Sequence, residues 1–172
     1  GKAVKDLEGI LFDHRAAFFI GASNPDFLRQ ILRGIQQDPE MFCGLIVREV
    51  VIEEDPDLSK RELFYPASPI LLKVKQKENH YKHLLYQDPE ANEVLTLNLQ
   101  KKLLAAGIDD RDATAEFAPC EGVAKEMLVD YKGVKNKVSW SPVRIIGSPE
   151  AKLLAWNAGL GNSTGIGFGA IK

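Results

Sequence analysis

Apolar residues recur along this chain with two different periods. Phe27, Leu28, Ile31, Leu32 and Ile35 are spaced by three and four, as are Val94, Leu95, Leu97, Leu99 and Leu103, and Ala151, Leu154, Ala155 and Ala158. That spacing puts each set on one side of a helix. A polar cap, a proline and an acid precede each set: Asn24-Pro25-Asp26, Asp88-Pro89-Glu90 and Ser148-Pro149-Glu150. The cap oxygen accepts from an orphan amide of the first turn, proline sits where an N–H would go unused, and the acid suits the positive end of the helix dipole. Three helices are therefore predicted. Between them lie β-favouring runs at Gly9–Phe12, Ala16–Ile20, Cys43–Ile52, Leu63–Val74, Met127–Tyr131, Val138–Ile146 and Ile166–Ile171. Asp13-His14-Arg15 would turn the first two into a hairpin.

From Phe64 onward the order is strand, helix, strand, strand, helix, strand, the ferredoxin-like βαββαβ arrangement. Residues 9–52 read as the same unit without its opening strand and helix. A short internal likeness supports two related halves: Phe19-Ile20-Gly21-Ala22-Ser23-Asn24-Pro25-Asp26 and Ile145-Ile146-Gly147-Ser148-Pro149-Glu150 both run apolar pair, Gly, Ser, Pro, acid. The expectation is an α+β chain of tandem ferredoxin-like (βαββαβ, RRM-like) folds, the first incomplete at its N-terminus. Residues 1–55 form the partial first domain, 56–62 the linker and 63–172 the second domain. The acidic, proline-containing Glu53-Glu54-Asp55-Pro56-Asp57 suits that junction.

Composition narrows the function classes. With 172 residues, 45% of them apolar, the chain has material for a packed core. A net charge of −2 excludes a bulk polycation, so any nucleic-acid surface must be local. Cys43 and Cys120 form no metal-ligand spacing and are too few for a disulfide scaffold, which points to a reducing, cytoplasmic setting. No apolar run approaches the ~18 residues of a membrane span.

The richest motif is the ending Gly159-Leu160-Gly161-Asn162-Ser163-Thr164-Gly165-Ile166-Gly167-Phe168-Gly169. Gly159 can end the preceding helix in a left-handed conformation. The remaining glycines imply positive φ or a close backbone neighbour, and Asn162, Ser163 and Thr164 add donors suited to a phosphate or an RNA backbone. The loop follows a helix, precedes a strand and lacks the lysine of the nucleotide-binding GxxxxGK[ST] loop.

This ending, preceded by Ile146-Gly147-Ser148-Pro149-Glu150, resembles the C-terminal glycine-rich signature of the CRISPR repeat-processing endoribonucleases of the RAMP superfamily. Ser68-Pro69-Ile70 and Asn98-Leu99-Gln100-Lys101-Lys102 are similar to that family's S-P-I and N-L-x-x-K patterns. The likeness covers Ala16 to Lys172. It implies two ferredoxin-like folds and binding of CRISPR repeat RNA. It also implies one metal-free cut per repeat, the neighbouring 2′-OH attacking the scissile phosphate, with no cofactor. Other CRISPR effector subunits and a second copy in a homodimer are the further partners it suggests. The family's general acid/base is commonly a histidine in or just after the opening helix of the first half, and no residue of this chain matches it. The catalytic group is therefore unassigned.

The RNA-binding set expected from the residues comprises Gly159, Gly161, Asn162, Ser163, Thr164, Gly165 and Gly167, with Lys132, Lys135 and Lys137. Residues 132–147 hold Lys132, Lys135, Lys137 and Arg144 and no acid, and topology would bring their turn to the same end of the sheet as the glycine loop. His14 reads as a turn residue, and His80 and His83 read as a solvated loop rather than a metal site. Lys73, Lys75 and Lys77 read as the wet face of a strand end. Trp140 and Trp156 read as core residues, with stacking on a base the lesser reading for Trp140. Two rival functions remain: a non-catalytic RAMP subunit holding guide RNA, and a ferredoxin-like small-molecule enzyme gripping a mononucleotide phosphate.

Overall fold

A computed structural model describes residues 4–6, 9–11, 14–77 and 80–172. Its strands are β1 (Val4–Asp6), β2 (Gly9–Leu11), β3 (Leu63–Phe64), β4 (Leu72–Lys77), β5 (His80–Leu84), β6 (Thr114–Phe117), β7 (Lys125–Tyr131), β8 (Val134–Trp140) and β9 (Val143–Ile146). The α-helices are α1 (Pro25–Gln37), α2 (Ala91–Ala105) and α3 (Pro149–Ala158).

The three helices follow their sequence signals. Asn24 accepts from the Asp26 amide at the start of α1, and Ser148 accepts from the Ala151 amide at the start of α3. Before α2 the Asp88 carboxylate instead accepts from the Leu85 amide at 2.7 Å. That bond holds Pro89 and Glu90 in a turn, and the helix opens at Ala91. On α2 the buried stripe is Ala91, Leu95, Leu99 and Leu103, one residue per turn, while Leu97 of the expected face is exposed.

From residue 63 onward the chain builds a sheet with an antiparallel order. β9 pairs with β3 on one side and with β6 on the other. Beyond β3, the C-terminal end adds a further edge: Pro66 bridges Ile171, and Tyr65 and Lys172 exchange N–H to O bonds of 2.8 Å. α2 and α3 cover one face, where Leu95, Leu99, Leu103, Ala151 and Leu154 pack with Phe64, Leu72, Leu84 and Ile145. Each fully buried leucine there contributes roughly 1.5–3 kcal/mol. Ser139 of β8 exchanges backbone hydrogen bonds with Ile70, and the β7–β8 hairpin packs on Leu71 and Phe168, closing a small cluster with Val138, Met127 and Val129.

Several expected elements differ. Ala16–Ile20 joins no ladder among the described residues, with Phe18 and Phe19 exposed; β2 pairs instead with β1, Val4 opposite Leu11. Phe12 and Asp13, which the expected strand and turn needed, lie outside the described residues. Cys43–Ile52 is no strand either. A 3₁₀ turn at Phe42–Gly44 places Cys43 at φ 57°, only Ile46 makes a bridge, and Val51 and Ile52 are exposed. A β-favouring run needs a partner edge and a covered face, and among the described residues these two runs find no more than the single Ile46 bridge to Glu40. The expected last strand, Ile166–Ile171, is broken by Gly167 at φ 94° and Gly169 at φ 75°, so that only Ile171 bridges. β5 and β6 were not legible, β5 because its residues read as a loop and β6 because its four residues are too short for a pattern. No helix among the described residues is long and apolar enough to cross a membrane.

Candidate nucleic-acid interface

The end of α3 sets the path of the glycine loop. Gly159 ends the helix at φ 70°, its N–H reaching the Ala155 carbonyl at 2.9 Å. Its own carbonyl accepts from Lys102 Nζ at 2.7 Å. Burial pushes the Lys102 amine from 10.5 down to about 8. The lysine of the N-L-x-x-K pattern thus ties α2 to the first residue of the loop.

Two residues on, the loop runs against β4. Gly161 has φ 76°, and a Cβ there would stand 2.5 Å from the Leu71 carbonyl oxygen. The Asn162 N–H donates to that oxygen at 2.7 Å, and Asn162 Oδ1 accepts from the Lys73 N–H at 2.8 Å. Asn162 therefore fastens the loop, and its side-chain oxygen is not turned to a ligand. The return limb is bound by Leu160 N–H to Gly169 O and Gly169 N–H to Pro69 O, each 2.8 Å. Between these anchors the tip projects: Ser163 at φ 59°, a 3₁₀ turn at Thr164–Ile166, then Gly167. Gly165 and Gly167 face open space. Among the described residues, no protein acceptor takes the amides of Ser163, Thr164 or Gly165.

Opposite the tip stands the β7–β8 hairpin. Its turn is Lys132-Gly133, at φ 51° and 78°, the two left-handed residues that a tight hairpin of right-handed twist requires. Tyr131, Val134, Asn136 and Val138 share the hairpin's inner face; Lys135 pairs with Asp130 and Lys137 with Leu128 on the outer one. A cleft of about 330 Å³ lies between hairpin and loop, lined by Lys73, Tyr131, Lys132, Asn136, Ser163 and Ile166 above Leu71 and Phe168. The structure thus brings Lys132 and Ser163 to one cleft. Lys135 and Lys137 belong to the other side, and Asp130 offsets part of the local positive charge. Asn136 is buried, donates to the Val134 carbonyl at 2.9 Å, and keeps Oδ1 without a partner among the described residues.

The histidines sort differently from expectation. His14 is exposed. His80 and His83 belong to β5, not to a loop. His83 Nδ1 accepts from the Lys137 N–H at 3.1 Å, which leaves Nε2 to carry the ring proton. Partial burial, with Lys73 and Lys137 nearby, lowers its pKa. The missed signal was the alternation Leu72-Lys73-Val74-Lys75 answered by Tyr81-Lys82-His83-Leu84, which is a hairpin's period of two. Trp156 packs against the main core, while Trp140 is half-exposed under Lys125 Nζ at 5.9 Å.

Comparison with known proteins gives a consistent picture. Residues 53–172 match the family model described as CRISPR associated protein Cas6, C-terminal. The chain is 27% identical over 169 residues to the CRISPR-associated endoribonuclease-like protein Cas6nc of Pyrococcus horikoshii, covering 91% of this chain and 67% of that protein. It is 24% identical over 168 residues to the Cas6 counterpart of Pyrococcus furiosus, with the same coverage. Among solved structures, it superposes on one described as an RAMP protein binding different RNA substrates, with a TM-score of 0.72 and 25% identity. That match covers 88% of this chain and 65% of that one. A structure described as CRISPR associated protein Cas6 gives a TM-score of 0.72 at 24% identity, with the same coverage. The chain spans about two thirds of the length of these relatives.

Proposed function

The chain belongs to the family of the CRISPR-associated protein Cas6, and on that premise we propose that it binds CRISPR repeat RNA in the cleft between the glycine loop and the β7–β8 hairpin. The observation that carries this reading is the meeting of Lys132, Lys73, Ser163 and Tyr131 around one opening. Cations and hydroxyls hold phosphate oxygens, and Tyr131 offers an aromatic face to a base. Gly165 and Gly167 leave room for an RNA backbone at the tip. The tandem ferredoxin-like architecture, divided into 1–55 and 63–172 by the linker 56–62, is part of the same reading.

The reaction served is cleavage of precursor CRISPR RNA into guide RNAs without metal. A base takes the proton of the 2′-OH, the 2′ oxygen attacks phosphorus, and the 5′ oxygen leaves with a proton from an acid. The products are a 2′,3′-cyclic phosphate and a 5′-hydroxyl. Lys132 and the loop amides would stabilise the charge on the transferring phosphate. The cleft itself offers lysine, asparagine, serine and tyrosine groups rather than an acid and base pair, so its part is binding and positioning. That feature also favours a second reading, an RNA-holding RAMP subunit with no cleavage of its own.

The test is a titration of labelled repeat RNA against the 172-residue chain at several salt concentrations, with single-turnover cleavage followed in EDTA. Tight, salt-dependent binding without product is the expected result. Saturable binding of a mononucleotide with indifference to RNA would replace this reading with a small-molecule enzyme.

A further inference from the structure

The β4–β5 hairpin carries a surface that the cleft alone does not explain. Leu72 opposite Leu84, and Val74 opposite Lys82, occupy one face, where both leucines are fully buried in the main core. Lys73 opposite His83, and Lys75 opposite Tyr81, therefore share the other face. Neither strand holds a carboxylate. Among the described residues Glu90 pairs with Lys82, which belongs to the core-side register; Glu78, between the two strands in sequence, lies outside the described residues. Tyr81 is 54% exposed and lies cross-strand from an exposed lysine. His83 is held by the Lys137 backbone N–H, so Nε2–H is available as a fixed donor beside Lys73. Lys73 also lines the cleft with Lys132 and Ser163, which makes the two surfaces continuous.

We propose that this face is a track for unpaired RNA leaving the glycine-loop cleft: Lys73 and Lys75 hold successive phosphates, His83 donates to the backbone, and Tyr81 stacks a base. The proposal rests on the RNA-binding reading above and adds to it the strand's path and its single-stranded state. Lysines two apart on one strand face repeat every ~6.6 Å, a spacing comparable to that of phosphates along an extended strand. An exposed tyrosine among cations is the pairing that single-strand binders use, since every base has a face to stack.

The experiment compares fluorescence anisotropy titrations of a labelled single-stranded repeat RNA, and of the same RNA extended at one end by unpaired nucleotides. The proteins are wild type, Lys132→Ala, Lys75→Ala, Tyr81→Ala, Tyr81→Phe and, as an off-track control, Lys60→Ala. The expected result is about a fivefold or greater loss of affinity for Tyr81→Ala with retention in Tyr81→Phe. Lys75→Ala should flatten the slope of log K against log salt by about 0.7. Lys60→Ala should match wild type. Both track residues are exposed, and a thermal melt of each variant verifies the fold. If Lys132→Ala weakens binding while Tyr81→Ala and Lys75→Ala match wild type, the track is overturned and the cleft reading stands. If wild type binds neither RNA, the cleft reading falls, and the track with it.

Discussion

Substituting the loop glycines one at a time separates those that build the fold from those that serve the ligand. Consider Gly161→Ala. At φ 76° a side chain in the left-handed region costs about 1–2 kcal/mol. The new Cβ would also lie 2.5 Å from the Leu71 oxygen and 3.2 Å from Ile70 Cγ2, so the loop must retreat from β4. That retreat stretches two hydrogen bonds, Asn162 N–H to Leu71 O and Lys73 N–H to Asn162 Oδ1, each contributing about 1 kcal/mol. The expected destabilisation is about 3–4 kcal/mol. Gly165→Ala is the matched control, because no atom lies within 4 Å of its Cβ position and its φ is not positive. Its expected effect is within about 0.5 kcal/mol, of either sign. Urea unfolding of both variants at one m-value reads the difference directly. A Gly161→Ala midpoint matching that of wild type, or equal losses in the two variants, would refute the assignment of Gly161 to close backbone approach.

Lys102→Met removes a partly buried cation whose folded-state pKa is about 8 against 10.5 for the ordinary amine. Between those values the unfolded chain binds the proton more tightly, so the stability of wild type relative to the variant should rise by about 3 kcal/mol from pH 8 to pH 10.5; a flat difference would contradict the burial argument. Lys132→Ala should flatten the salt dependence of RNA binding, whereas Lys135→Ala, opposite Asp130 on the outer face, should leave it nearly unchanged; equal effects would mean that the hairpin presents its other side. The His83 ring should titrate below the ordinary histidine range and carry its proton on Nε2 when neutral, as ¹⁵N chemical shifts across a pH series will read; a raised midpoint would contradict the combined influence of partial burial and of Lys73 and Lys137.

What was legible in the sequence was what local chemistry decides. The caps at Asn24 and Ser148 and the leucine stripe of α2 follow from rules acting within one or two turns. The glycine loop was legible as a loop, but not which glycines touch backbone, since that depends on β4 lying beside Gly161 and on the return limb beside Gly159. The cluster of lysines in residues 132–137 was legible as charge. Its division was not, because the tight Lys132-Gly133 turn fixes a register that sends Lys135 and Lys137 outward. His83 was misjudged for the same reason: only the pairing of β5 with β4, and its approach to Lys137, give the ring a partner. The strands expected at Ala16–Ile20 and Cys43–Ile52 show the converse, β-favouring residues for which composition alone supplies no partner edge.

The central claim, that RNA lies between the glycine loop and the β7–β8 hairpin, is tested most directly by cross-linking. Repeat RNA carrying 4-thiouridine at successive positions would be irradiated with the protein and the adducts mapped by mass spectrometry. The account expects adducts on peptides containing Tyr131 or Lys132 and on the loop peptide containing Ser163 and Ile166. Adducts confined to the exposed side of α2 around Leu104, with none on the hairpin or the loop, would contradict it.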